Sequence, residues 1–323
     1  MYNVHHFIAA KCCSAFISLW EGEVMKKKLI TGLMVGALAC VGAFGLFGCG
    51  GSSSDSGDSA DTSADAAANG AAATGTLIVG FDAEYPPYGY LADAGEEGYE
   101  ADDGNTYTGF DLDLAKAVCD ENGWELKVKP INWDSKDAEL GSGSINCIWN
   151  GFTMEGREGQ YTFSDAYMLN SQVVVVKAGS EIKDLDDLAG KNVLTQADSA
   201  ASDLLGEDGD QAELGASFAG GAVQTIADYN NAFMQLESGQ CDAIVCDLSV
   251  AMTHLNASPD AFVQLEETLQ DEHYVVGLAL GDDDTAAAIN EALKTLDEAG
   301  TVKEIAAKYG DDIDYDNLWC LGK

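Results

Sequence analysis

The sequence predicts an α/β protein with two similar lobes, and three observations support this. Short apolar stretches rich in Val, Ile and Leu alternate with helix-length segments over residues 76–310. Residues 140–148 (LGSGSINCI) recur as residues 236–244 (LESGQCDAI), and each copy predicts a helix ending at Ser-Gly and then a strand. The two strands end near polar residues, Asn150 and Asp247. Because ligands of open α/β sheets bind beyond the carboxyl ends of strands, we expect the lobes to face each other across a cleft.

Composition limits the classes of function. The chain has 323 residues, of which 46% are hydrophobic, which is enough for two globular units with cores of their own. It carries 16 basic and 55 acidic residues, a net charge of −39. This charge excludes a nucleic-acid backbone as a partner, since no basic patch opposes it.

The amino terminus predicts a lipoprotein signal peptide at residues 25–48. Three lysines follow Met25, then comes a weakly polar to apolar run that ends in Leu-Phe-Gly before Cys49. The alternative is a membrane-spanning anchor, because the run is about long enough to cross a bilayer. The small residue before the cysteine favours cleavage and lipidation of Cys49. In either case the remainder of the chain is exported and tethered to the membrane.

Two further segments flank the signal. Residues 1–24 are interpreted as a mis-assigned upstream extension, with translation starting at Met25. Residues 49–75 are the lipidated cysteine and a flexible linker, since Gly, Ser, Asp, Ala and Thr dominate them and cannot form a core.

The remaining cysteines and the few histidines suggest no metal site and no cofactor. Besides the lipidated Cys49, five cysteines stay in the processed chain, so at least one thiol is unpaired unless it bonds another molecule; they are Cys119, Cys147, Cys241, Cys246 and Cys320. Two of the four histidines lie in residues 1–24, which argues against zinc. The acidic residues 312–316 lack the glycine and glutamate of a calcium loop.

The elements follow one another as the α/β pattern requires. Residues 92–108 predict a surface loop or a hairpin, and Gly123 ends a helix that begins at residues 109–111. Strands are expected at residues 76–81, 124–130, 172–176, 193–194 and 274–280, and helices at 182–188, from Ser199, at 285–300 and at 301–309.

Arg157 is the only arginine of the chain, and it stands in residues 150–157 (NGFTMEGR) beside Asn150, Gly151 and Thr153. A guanidinium group offers a planar fork of donors that matches a carboxylate. The segment therefore indicates a receptor for a carboxylate. The alternative is a surface ion pair with one of the many acids.

Several motifs together resemble the extracytoplasmic amino-acid-binding proteins of ABC importers, solute-binding protein family 3. The motifs are residues 80–88 (GFDAEYPPY), 109–115 (GFDLDLA), 150–157, 163–165 (FSD), 187–191 (DLAGK) and 297–301 (DEAGT). The resemblance implies a periplasmic-binding-protein-like fold of type II, with two α/β lobes joined by two hinge crossovers near Asn170 and Glu272. Lobe 1 would comprise residues 76–170 and 274–323, and lobe 2 residues 171–273.

The resemblance also implies roles for individual residues. Arg157 would clamp the ligand α-carboxylate with help from Thr153 and the helix start at Ser199, and Asp247 would accept the α-ammonium. The whole predicted site is Asp82, Tyr85, Trp133, Asn150, Gly151, Thr153, Arg157, Ser199 and Asp247.

In this scheme Tyr85 and Trp133 stack on the ligand side chain, and Asp82 accepts hydrogen bonds from a polar or cationic group on it. Three of the site residues have a structural alternative: Tyr85 packs a turn, Trp133 belongs to a core and Asp247 caps a helix.

Two departures from the family pattern concern the carboxylate end. The segment from Thr153 to Arg157 is one residue short, which would shift the angle at which Arg157 enters the cleft. Asp198 replaces a glycine, and an acid there would repel the ligand carboxylate unless it turned outward.

The predicted function is a lipid-anchored extracytoplasmic receptor that binds an amino acid, with polar or basic side chains favoured, and delivers it to the permease of an ABC importer. A tethered monomer is expected. The alternatives are an enzyme on the same fold, such as a cyclohexadienyl-type dehydratase, and a sensory lipoprotein without transport. The enzyme would need a general acid or base, and no isolated His or Lys lies at the matched positions.

Overall fold

The computed structural model of the protein describes residues 69–323. The predicted upstream extension, the signal peptide, Cys49 and most of the predicted linker lie outside these residues. Among the helices that the structure describes, none is long and apolar enough to cross a membrane.

The strands of residues 69–323 are β1 (Thr76–Phe81), β2 (Glu84–Tyr85), β3 (Gly89–Leu91), β4 (Tyr99–Glu100), β5 (Thr106–Thr108), β6 (Glu125–Pro130), β7 (Cys147–Thr153), β8 (Thr162–Phe163), β9 (Met168–Lys177), β10 (Val193–Gln196), β11 (Gln224–Ile226), β12 (Ala243–Asp247) and β13 (Phe262–Leu278).

The α-helices of the same residues are α1 (Ala71–Thr74), α2 (Phe110–Asn122), α3 (Lys136–Gly141), α4 (Ala200–Leu205), α5 (Ala212–Ser217), α6 (Tyr229–Ser238), α7 (Leu248–Ala257), α8 (Asp283–Glu298), α9 (Thr301–Ala306) and α10 (Tyr315–Leu318). Short 3-10 turns lie at Trp133–Ser135, Leu185–Leu188, Ala219–Gly221 and Ala307–Asp312.

One sheet of nine strands runs through both lobes in the order β11-β10-β12-β9-β13-β7-β1-β6, with β8 beside β13. Pairing is parallel at the two ends and antiparallel around β9 and β13. The two predicted crossovers therefore lie within long strands, with Asn170 opposite Glu272. The exact residue limits of the two lobes stay a prediction.

The predicted repeat of helix and strand is confirmed. The first copy forms α3 and β7, and the second forms α6 and β12. Gly239 ends α6 with a φ of 75°, a left-handed conformation that glycine adopts without steric cost. Every residue of both strands is buried, which explains their apolar sequence. The repeat places one polar strand end in each half of the sheet.

Most of the remaining predictions of secondary structure hold with small shifts at the ends, but the strand predicted at residues 274–280 is only the last part of β13, which begins at Phe262. Helix α2 begins after Gly109 and ends before Gly123, and it buries Leu112, Ala115, Val118 and Cys119. Residues 92–108 form part of a second, four-stranded antiparallel sheet in the order β2-β3-β5-β4, so they are hairpins rather than an irregular loop. The predicted helix at residues 182–188 is a single 3-10 turn at Leu185–Leu188.

Apolar cores lie on both faces of the large sheet. The largest cluster joins α2, α6, α7, α8 and α9 to one face. The opposite face is covered by α4 and α5 in one half and by the Trp133 turn and α3 in the other. All five cysteines of residues 69–323 are free thiols.

Strand register fixes the centre of the molecule. Asp247 of β12 lies opposite Gln172 of β9, and Glu272 of β13 lies opposite Asn170 of β9. Tyr274 of β13 is paired in turn with Thr153 of β7. Four strands thus bring polar side chains from distant parts of the sequence to one place.

Candidate ligand-binding site

A narrow cavity lies between the two halves of the sheet, at the ends of β7 and β12, with about 10 Å³ of space open to the centre of a water molecule. Eight of the nine predicted site residues line it. The lining residues are Tyr85, Trp133, Asn150, Gly151, Thr153, Arg157, Gln196, Ser199, Ala200 and Asp247.

Arg157 reaches this cavity from the turn that follows β7. Its guanidinium Cζ lies 4.7 Å from the centre of the Phe152 ring, and Nη1 donates to the Thr153 carbonyl at 3.2 Å. Nη2 approaches the Asp203 carboxylate at 3.4 Å. The residue is 6% exposed, so it is not a surface cation even though it has an acidic neighbour. The shortened segment therefore still delivers Arg157 to the cavity.

Asp198 does not present a free negative charge to the cavity. It adopts a φ of +58°, and its carboxylate pairs with the Nζ of Lys136, whose side chain is 3% exposed. The Asp198 carbonyl accepts hydrogen bonds from Lys136 at 3.2 Å and from Arg157 at 3.4 Å. The acid that replaces the expected glycine is thus neutralised by a lysine from the other half of the sheet.

Asp247 ends β12 and is buried beside the cavity. It occupies the position before α7, but its side chain makes no capping hydrogen bond to that helix. Instead Oδ1 accepts from Asn170 Nδ2 and from Gln172 Nε2, both at 2.8 Å. Burial raises the pKa of Asp247 because it penalises the charged form.

Glu272 is a second buried carboxylate at this point. Its Oε2 accepts from Asn170 Nδ2 at 3.0 Å, from Gln172 Nε2 at 2.9 Å and from Thr153 Oγ1 at 2.9 Å. Burial, together with the charge of Asp247, raises the pKa of Glu272 to about 7. The sequence marked Glu272 only as a crossover position and not as part of the site.

Asp82 lies behind the cavity wall rather than in it. Its Oδ1 accepts from the Glu84 amide at 2.9 Å, and its Oδ2 accepts from Gln196 Nε2. Burial raises the pKa of Asp82 to about 6. Gln196, which the sequence analysis did not identify, therefore stands between Asp82 and the cavity.

The predicted aromatic residues line the cavity and also pack against protein neighbours. The Tyr85 hydroxyl is 3.1 Å from that of Tyr274, and the Trp133 ring centre is 5.9 Å from that of Phe152. Structural packing and a ligand contact are therefore compatible for both residues.

Two small residues shape the cavity through their backbones. Gly151 has a φ of +57°, and its amide donates to the buried Asp111 Oδ2 at 2.7 Å. Ser199 precedes α4 and caps it by accepting from the Ser202 amide at 3.1 Å. The Ser199 hydroxyl is thus engaged in the helix cap.

Comparison with known proteins identifies the family. Residues 77–312 match the family described as bacterial extracellular solute-binding proteins, family 3. The chain belongs to this family.

Relatives of this solute-binding protein include two curated sequences and many solved structures. The L-cystine-binding protein TcyJ of Escherichia coli (strain K12) is 28% identical to this chain, over 74% of the length of this chain and 84% of the length of TcyJ. A probable histidine-binding protein of Neisseria gonorrhoeae is 30% identical over 76% of this chain and 87% of its own.

Among solved structures, an ABC uptake transporter substrate-binding protein of Streptococcus pneumoniae with bound histidine aligns with a TM-score of 0.66 and 30% identity. The alignment covers 79% of this chain and 99% of that one. The fold of the solute-binding protein is that of type II periplasmic-binding proteins, with two α/β lobes and two crossovers, as predicted.

The residues that the sequence analysis missed share one property: each acts through a partner far away in the chain. Gln196 contacts Asp82, Lys136 contacts Asp198, and Glu272 contacts Thr153. The signal for Gln196 was its place at the carboxyl end of a predicted strand in a parallel part of the sheet. No local pattern marked Lys136, because lysines next to helices are ordinary surface residues.

Proposed function

We propose that the protein is an extracytoplasmic receptor that binds one amino acid in the cavity between its lobes and delivers it to the permease of an ABC importer. The observation that carries the proposal is that Arg157 and Asp247, one from each half of the sheet, line the same small cavity. Closure of the lobes, residues 76–170 with 274–323 against 171–273, would bury the ligand between these charges.

The chemistry of the cavity suits a zwitterion. An amino acid needs one fixed cation for its carboxylate and one fixed anion for its ammonium group, and each charge-assisted hydrogen bond is worth about 1.5–3 kcal/mol. Asn150 supports the assignment because it lines the cavity and its Nδ2 is buried without a hydrogen-bond partner among residues 69–323. A buried donor of this kind favours a ligand that accepts a hydrogen bond.

The other end of the cavity favours a ligand side chain that donates hydrogen bonds. Gln196 Nε2 is committed to Asp82 and, at 3.0 Å, to the Ala227 carbonyl, which leaves its carbonyl oxygen as the available acceptor. This arrangement supports a polar or basic amino acid. One relative is named an L-cystine-binding protein and another a probable histidine-binding protein, and both names are consistent with that class.

Turnover is not part of the proposal, since the named relatives are binding proteins rather than enzymes. Tyr85 and Trp133 would provide the faces on which the ligand side chain stacks.

Isothermal titration calorimetry with the twenty common L-amino acids and L-cystine tests the receptor assignment. We expect micromolar or tighter binding of one or a few polar or basic ligands. Arg157→Ala should weaken this binding. Lys116→Ala is its matched control, because it removes a cation from an exposed ion pair with Asp120, and it should bind normally. Absence of heat with every ligand would refute the receptor.

Membrane attachment is proposed from the sequence of residues 25–49. Incorporation of radiolabelled palmitate should be seen in the wild-type protein and lost in Cys49→Ser. Recovery of label in Cys49→Ser would contradict lipidation at that residue.

A further inference from the structure

The carboxylates of Asp247 and Glu272 lie on the two strands that flank β9, and the proposed receptor function uses only Asp247. We propose that Asp247 and Glu272 share one proton in the unliganded protein and that the ligand ammonium group displaces it. Glu272 is then a positioning residue that sets the charge of the ammonium acceptor. This inference rests on the proposed function and adds that binding is coupled to proton release.

The geometry brings the two acids together through common donors. Asn170 Nδ2 lies 2.8 Å from Asp247 Oδ1 and 3.0 Å from Glu272 Oε2. Gln172 Nε2 lies 2.8 Å and 2.9 Å from the same two oxygens. Oxygens bonded to one nitrogen are within about 6 Å of each other, a separation at which like charges in a buried site repel strongly.

The side-chain N–H groups of Asn170 and Gln172 face the carboxylates, and their carbonyl groups are left without a donor in the described part of the chain. Asn170 Oδ1 and Gln172 Oε1 are buried and have no hydrogen-bond partner among residues 69–323. Leaving two buried acceptors unpaired is costly, so the demand of the carboxylates for donors sets the orientation. All four N–H groups of the two amides point at the acids.

These donors are neutral, and they do not balance two negative charges. Arg157 lines the same cavity, but its contacts are the carbonyls of Thr153 and Asp198 and the carboxylate of Asp203. Glu272 is 1% exposed and Asp247 5% exposed, which leaves little access to water. One proton between the two acids halves this negative charge while no ligand cation is present.

The direction of the pKa shifts agrees with this arrangement. Burial and Asp247 raise the pKa of Glu272 to about 7, and burial raises the pKa of Asp247. An ammonium group beside Asp247 adds a positive charge, which favours the ionised forms and lowers both pKa values. Binding near neutral pH therefore releases the proton, and affinity rises with pH up to about 7.

Several other titratable groups lie near the pair. The buried Asp111 accepts from the amide of Gly151 in the cavity wall, and burial raises its pKa to about 7, so Asp111→Asn is a further control that should keep the release. Burial raises the pKa of four tyrosines well above 10, so they remain neutral; they are Tyr85, Tyr88, Tyr229 and Tyr274. His273 follows Glu272, but its Nδ1 faces Glu155 at 2.7 Å. Asp82, with its pKa raised to about 6, faces the site through Gln196. The charged groups around Arg157 are Lys136, Asp198 and Asp203.

Proton release is measured by calorimetry in buffers of different ionisation enthalpy, such as phosphate and Tris, at about pH 6.5. With the best ligand of the amino-acid screen, we expect about 0.5–1 proton released per ligand, and an affinity that rises up to about tenfold per pH unit below pH 7. In Glu272→Gln the release should be lost and the affinity should become nearly independent of pH. His273→Gln and Asp82→Asn are matched controls that should keep the release.

Each outcome decides the inference. No release in the wild-type protein, or equal release in Glu272→Gln, would overturn it. Loss of release in Asp82→Asn with retention in Glu272→Gln would assign the proton to Asp82 and also overturn it.

Infrared spectroscopy of the unliganded protein separates this inference from the receptor assignment. A carboxylic acid C=O band that titrates near neutral pH in the wild-type protein and in Asp111→Asn, and is absent from Glu272→Gln, supports the shared proton even if no amino acid binds. Absence of that band from the wild-type protein would reject the shared proton even if an amino acid binds well.

Discussion

Replacing Arg157 by Lys and by Ala tests the proposal that this residue binds the ligand carboxylate. The arginine has five N–H donors, and contacts with the Thr153 carbonyl, the Asp198 carbonyl and Asp203 engage three of them. The two contacts of Nη2 are 3.4 Å long, which is weak for a hydrogen bond. A ligand carboxylate can therefore obtain two charge-assisted hydrogen bonds without breaking a strong contact.

The magnitude follows from the number of these bonds. Two bonds of about 1.5–3 kcal/mol each predict a loss of about 3–6 kcal/mol in Arg157→Ala, or roughly a 150-fold to 20,000-fold weaker Kd. Arg157→Lys keeps the charge but loses the planar fork, so we expect about half of that free energy to be lost. We therefore expect the affinity to fall in the order wild type, Arg157→Lys, Arg157→Ala.

Calorimetry with the best ligand measures these constants, and circular dichroism checks that each variant is folded. A Kd for Arg157→Ala within threefold of the wild-type value, in a folded protein, would refute the bidentate clamp. Equal losses in the Lys and Ala variants would show that the fork rather than the charge carries the whole effect.

Three further predictions concern stability, measured by urea unfolding. Asp198→Asn should lower the free energy of unfolding by about 1–3 kcal/mol, because it leaves the buried Lys136 ammonium without an anion. Lys136→Met should lower it less, and the reverse order would contradict the buried ion pair. Gly151→Ala should lower the free energy of unfolding more than Gly156→Ala. Both glycines have a positive φ, but only a Cβ at position 151 meets the Tyr85 ring, at 3.0 Å. Equal losses of stability would exclude that clash. Burial raises the pKa of Asp111 from its ordinary value of about 4 to about 7, so the protonated form stabilises the fold at low pH, and this contribution is lost as pH rises from about 4 to about 7. Asp111→Asn should therefore reduce the fall in stability between about pH 4 and pH 7, and an unchanged fall would assign it to other groups.

The two charged residues Arg157 and Asp247 could be singled out from the sequence because their signals are local. A single arginine beside Asn150 and Thr153, at the end of an apolar strand, needs no knowledge of distant residues to be noticed. The same holds for Asp247, since a repeat of helix, glycine and strand reveals that a second strand ends there. Both residues line the cavity.

The role assigned to Asp82 shows where local reasoning ends. An acid at the end of a buried strand needs a partner, and the sequence analysis took that partner to be the ligand. The structure supplies Gln196 instead, and Asp82 does not line the cavity. The neighbour of Asp82 lies 114 positions away, beyond the reach of periodicity or spacing.

The sequence by itself determined the order of strands and helices, the two similar lobes and the residues at the ends of their strands, because periodicity, glycine positions and strand ends are properties of short segments. Only the tertiary structure decided that Glu272 joins Asp247, that Lys136 neutralises Asp198 and that Gln196 covers Asp82. Those contacts depend on the register between strands and on the closure of the two lobes. Register and closure are set by packing across the whole sheet, so no segment read alone contains them.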